Sequence, residues 1–162
     1  MEATTRGEEV DMIAEAKQTM VSFLSNEAGQ AVVENMHAVP VGEDLYCLDN
    51  SPFYVYGVSF GDVVHAPMSD GRPVFVGVME HRGHSTYRVR LPAGSGHDDF
   101  AQHWSPLEQL GCSFEGSGVS TRRLYAIDVP PTSDVVAVYK VLEDGESAGW
   151  WEFEEAHYCA RP

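Results

Sequence analysis

The chain has 162 residues and 43% hydrophobic content, enough for one substantial core or two small modules sharing an interface. Its 25 acidic residues against 10 basic ones give a net charge of −15, which repels phosphate backbones and anionic lipid and so argues against nucleic acid or a membrane surface as partner. Cys47, Cys112 and Cys159 are widely spaced without a CxxC, and the acidic start has neither a basic n-region nor an 18-residue apolar window. The expectation is a reduced, cytoplasmic protein with no disulfide framework, zinc ribbon or membrane span.

Residues 1–8 read as a disordered start. Over 9–24 the apolar positions Val10, Ile13, Met20, Phe23 and Leu24 fall on one helical face, with Glu15, Lys17 and Gln18 elsewhere, so an amphipathic helix ending near Asn26 and Gly29 is expected. Such a helix could cover a cleft, pack on a sheet or support a homodimer. Residues 31–41 and 45–48 read as strands around a Gly42-Glu43-Asp44 turn. Asp49, Asn50 and Pro52 then favour a turn that leads into the aromatic loop of Phe53, Tyr54 and Tyr56.

The stretch 60–92 carries three strand signals, 62–66, 73–80 and 85–91, parted by Ser69-Asp70-Gly71 and Arg82-Gly83, which supply the positive φ of reversing chains. It reads as a three-stranded meander. Beyond it lie a Gly-rich loop, a helix starting near Asp98 and closing at Gly111, a strand at 112–115 and a strand at 123–129. A second helix is capped by Thr132 or Ser133, and a last strand covers 150–158. The expected fold is therefore α+β, in three parts. Residues 1–30 form the start and helix, 31–82 a small antiparallel β-barrel-like module, and 83–162 a ferredoxin-like βαββαβ module.

The segments LDNSPFYVYGVSFGDVV and GHSTYRV resemble the signature segments of a bacterial domain-of-unknown-function family, number 4265, over residues 33–158. The resemblance implies no particular chemistry, since the family has no agreed activity. It draws attention to Asn50, Pro52, Phe53, Gly61, Asp62, Gly83, His84 and Ser85, and to the ending Trp151, Glu152, Glu154, Glu155 and His157.

Glu80, His81, His84, Ser85 and Arg88 crowd around the second meander turn. Imidazole titrates near neutrality and a carboxylate can fix its tautomer, so His84 with Asp62, Glu80 or Glu155 is the candidate acid/base pair, and Ser85 is a weaker nucleophile candidate. No Gly-x-Ser-x-Gly elbow is present, and adjacent strand residues point apart. The same alternation separates His81 from His84, so no metal and no cofactor are expected. Candidate ligand-binding residues are Phe53, Tyr54, Tyr56, His81, Arg88, Trp151, Glu155 and His157. The leading expectation is a cofactor-independent binding or accessory protein taking a basic peptide, protein or small ligand in an aromatic and histidine-lined cleft. The alternative is a small metal-independent enzyme of specialised metabolism, with Tyr54 or Tyr56 as proton donor.

Overall fold

The protein is described here from a computed structural model, which covers residues 18–117 and 123–160. Strands β1 (Thr19–Glu27), β2 (Gln30–Gly42), β3 (Leu45–Leu48), β4 (Val63–His65) and β7 (Gly77–Glu80) form an antiparallel sheet in the order β1-β2-β3-β4-β7. A two-stranded ribbon, β5 (Met68–Ser69) and β6 (Arg72–Pro73), stands between β4 and β7. The chain then continues through β8 (Ser85–Arg90), α1 (His97–Gln109), β9 (Ser113–Gly116), β10 (Leu124–Val129), α2 (Val135–Ser147) and β11 (Glu152–His157). These four strands make a second antiparallel sheet, ordered β11-β8-β10-β9.

The helix expected over 9–24 is not the structure of its second half: Met20, Phe23 and Leu24 lie on β1, while Val10 and Ile13 fall outside the described residues. Val21 and Phe23 are buried while Met20 and Leu24 are exposed, and Ser22 between them is also buried, its hydroxyl donating to Asn35 Oδ1 at 2.7 Å. The turn explains the choice. Ala28 and Gly29 have φ of 51° and 80°, the two consecutive left-handed positions of a tight hairpin, and they lock Thr19–Glu27 into register with β2.

The first sheet is also not a closed barrel. β1 and β7 are its edges, and the run 74–76 lies across the gap, with Phe75 N donating to Ser22 O and Val76 N to His65 O, each at 2.9 Å. The expected meander is likewise split. β4 and β7 pair, but the turn at Arg82-Gly83 delivers β8 to the centre of the second sheet. Gly83 takes φ of 95°, and a Cβ there would stand 2.9 Å from Pro131.

Each sheet has its own core. Val21, Phe23, Met36, Leu48, Val58 and Val64 fill the first. In the second, Tyr87 and Val89 from β8 and Tyr125, Ile127 and Val129 from β10 meet Phe100 and Leu107 of α1 and Val138 and Leu142 of α2. Alternation leaves Thr86, Arg88 and Asp128 on the opposite face, towards the first sheet. The helix caps differ from expectation: Gly96 caps α1, with its N–H held by Asp99 at 2.7 Å, and Asp134 caps α2 by accepting from Val136 N and Ala137 N at 3.1 Å.

Candidate functional site

The aromatic loop between β3 and β4 is the connector of the two sheets. Glu34 on β2 accepts from Phe53 N at 2.6 Å, Tyr54 N at 3.1 Å and Val55 N at 2.9 Å, so one buried carboxylate holds three consecutive amides. From the other side Arg88, 1% exposed, donates to Val55 O at 2.8 Å and Glu154 Oε1 at 2.7 Å. Its guanidinium sits 4.5 Å from the Tyr56 ring centre. Gly57 N donates to Ala156 O of the edge strand β11 at 3.0 Å. Tyr54 and Tyr56 project to solvent, and the Tyr56 hydroxyl donates to Glu154 Oε2 at 2.6 Å, which raises its pKa.

The turn after β7 sends its two histidines to different carboxylates. His81 Nδ1 meets Asp62 Oδ2 at 2.9 Å. Asp62 is fully buried and also accepts from Ser59 N at 2.9 Å and Arg82 N at 3.1 Å. The His81 ring stacks on His157, centroids 4.5 Å apart, and His157 Nδ1 lies 2.8 Å from Ser59 Oγ, which shares a 2.6 Å bond with Thr86 Oγ1. Burial pulls the His157 imidazole below its ordinary range.

His84 turns the other way. Its Nδ1 is 2.8 Å from Asp128 Oδ1 on β10, and its ring packs against Phe60 with centroids 5.2 Å apart. Asp128 and Phe60 belong to the lining of a cleft of about 330 Å³ between the sheets, shared with Asp49, Asn50, Ser51, Ser113, Phe114 and Glu115. Three carboxylates thus face one hollow flanked by two phenyl rings. Burial pushes Asp128 above the usual carboxylate range, with His84 drawing it back, and burial likewise raises Glu115, against the Ser51 amide that donates to Glu115 Oε2 at 2.6 Å. Other hollows lie elsewhere: one of about 200 Å³ beside Arg88, Arg90 and Glu152, an apolar one of about 240 Å³ between Val136, Tyr139 and Tyr158, and one of about 330 Å³ where Glu143, Glu146, Glu154 and Glu155 meet Tyr139 and Phe153. None of these three is lined by a histidine.

Of the expected acid/base residues, His84 pairs with a carboxylate, but with Asp128 rather than Asp62, Glu80 or Glu155. Asp62 is committed to His81, and Glu80 is an exposed partner of Arg82 at 3.3 Å. Glu155 accepts from the Tyr87 hydroxyl at 3.0 Å. Ser85 Oγ is buried and accepts from Cys159 N at 2.9 Å, so the strand alternation that parts it from His84 holds. Trp151 is a core side chain, its Nε1 donating to Leu142 O at 2.9 Å, whereas Trp150 is exposed and stacks on His103. The ring against His84 is that of Phe60, not Phe53 or Tyr56. Sequence reasoning missed Asp49, Glu115 and Asp128 as a group, because each comes from a different strand or loop. The one legible signal was that Asp128 falls on the Leu124–Ala126 face of its strand.

A family model described as Domain of unknown function (DUF4265) matches residues 34–153. A crystal structure of a hypothetical protein from Neisseria gonorrhoeae is similar in fold, with a TM-score of 0.71 over 90% of this chain and 98% of that one, at 12% identity. No curated protein matches. Among the described residues no helix is long and apolar enough to cross a membrane.

Proposed function

We propose, from the premise that this chain belongs to the DUF4265 family, that it is a binding or accessory protein whose ligand is cationic: a basic side chain of a peptide or protein, or a small amine. The observation that carries this reading is the convergence of Asp49, Glu115 and Asp128 on the cleft between Phe60 and Phe114. A desolvated cation beside three carboxylates gains charge-assisted hydrogen bonds, and the phenyl rings suit its aliphatic stem or its π-facing charge. The net charge of −15 adds long-range attraction for a basic partner. We read the βαββαβ half as ferredoxin-like, on the strength of its β11-β8-β10-β9 order, and the free thiols Cys47, Cys112 and Cys159 favour a reducing cytoplasm.

Calorimetric titration with a capped Arg-Lys dipeptide tests this. Glu115→Gln should weaken binding about tenfold, the loss of one charge-assisted contact, while Glu143→Gln on the remote face of α2 changes it little. Affinity should also fall as salt rises. Equal affinity for the wild type and Glu115→Gln would reject the cleft as the binding site.

A second reading rests on the 2.8 Å His84–Asp128 pair at the cleft wall. An imidazole so held could exchange a proton with a bound amine or hydroxyl, making the protein a cofactor-independent enzyme. Turnover lost in His84→Gln with ligand affinity retained would select this reading over simple binding.

A further inference from the structure

We propose that Asp62, His81 and His157 form a binding site for a divalent transition ion of the zinc class. The site is distinct from the acidic cleft and does not depend on the reading of that cleft. The three residues come from separate places in the fold: Asp62 precedes β4, His81 follows β7, and His157 closes β11. One potential ligand atom from each lies within 4.8 Å of the other two. Two imidazoles and a carboxylate are a donor set that zinc and its neighbours take readily, with a fourth position left for water or a ligand.

Two of the three legs are held in place by outer contacts. The Asp62 carboxylate receives Ser59 N and Arg82 N, and His157 is oriented by Ser59 Oγ, itself tied to Thr86. Metal sites commonly carry such orienting contacts behind their ligands. His81 is the adjustable leg, with a side chain 41% exposed. Its 2.9 Å contact with Asp62 is close to the separation of roughly 3.3 Å between ligands on a tetrahedral zinc. The ion would replace the hydrogen bond between these two groups, with His81 binding through Nδ1 as a neutral imidazole that carries its proton on Nε2. The longer separations must close by up to roughly 1.5 Å for the same geometry. This closure falls on side chains: the exposed His81 ring can rotate, and the His157 ring can pivot on its bond to Ser59.

The metal-free full chain should be titrated with Zn²⁺ by calorimetry, and with Co²⁺ as a coloured substitute. One ion per chain is expected, with a four-coordinate Co²⁺ absorption band. His81→Ala and His157→Gln should each weaken binding at least tenfold, and His103→Ala, which alters a histidine stacked on Trp150, should leave it unchanged. His81 is exposed, so its variant remains a fair test even if His157→Gln unfolds the end of β11. Absence of saturable 1:1 binding by the wild type, or His81→Ala binding as tightly as the wild type, overturns the proposal.

Discussion

Burial raises the Asp128 carboxyl, and partial desolvation raises that of Glu115 despite its exposure, so each becomes fully charged only at a higher pH than a fully solvated acid needs. A cationic ligand requires the charged forms. Affinity for the Arg-Lys dipeptide should therefore be lower at pH 5 than at pH 7.5, and a calorimetric pH series would show it; a flat profile would mean that neither acid contacts the ligand. The same shift has the opposite sign for folding. A carboxyl whose folded pKa is raised contributes stability that is present below its unfolded value and lost as pH rises through the folded one. Glu115→Gln, which keeps an acceptor for Ser51 N, should then be at least as stable as the wild type at pH 7, with any advantage gone at pH 4, as read by urea denaturation. The Glu34 carboxylate serves three amides at once. Glu34→Ala should cost at least about 2 kcal/mol and speed amide exchange at Tyr54 and Val55. Reading the sequence brought out His84 as a residue in need of a carboxylate, since imidazole chemistry is local knowledge. It did not find Asp128, which lies 44 positions away and is joined to His84 only by the pairing of β8 with β10.

At the level of elements, the same contrast runs between local and distant information. Strand β10 and helix α2 were legible because burial periodicity and punctuation agree within a dozen residues: Tyr125, Ile127 and Val129 alternate inward, and Val138 and Leu142 share one helical face. Strand β1 was misread because Met20, Phe23 and Leu24 fit a helical spacing as well as Val21 and Phe23 fit a strand. The decision came from the positive φ of Ala28 and from pairing with β2, neither of which periodicity reveals. Packing of α2 on β11 gives a sharper test. A Cβ added at Gly145 would lie 2.4 Å from the Trp151 ring, whose Nε1 is anchored to Leu142 O. Replacing glycine inside a helix gains about 1 kcal/mol, but forcing the ring aside costs up to about 3 kcal/mol. Gly145→Ala should thus be destabilising by about 1–2 kcal/mol in denaturant titration. An equally stable variant would mean that Trp151 repacks freely.

Across the whole molecule, the two sheets are joined mainly by polar contacts that run through one loop: Glu34 and Arg88 clamp residues 53–55, Ser59 links Thr86 with His157, and Ser51 reaches Glu115. A polar junction of this kind leaves an acidic hollow where an apolar interface would have closed. The composition announced the acidity, and the aromatic run announced a loop near the site. Which ring and which acids line the hollow depended on how the turn at Gly83 hands the chain from one sheet to the other, and the sequence reading had joined those strands into a single meander. The most direct test is an amide and histidine-ring NMR titration with the capped Arg-Lys dipeptide. Our account predicts the largest shifts at Ser51, Ser113, Phe114 and the His84 ring; shifts centred instead on Glu143 and Glu146, or spread evenly over the acidic surface, would contradict it.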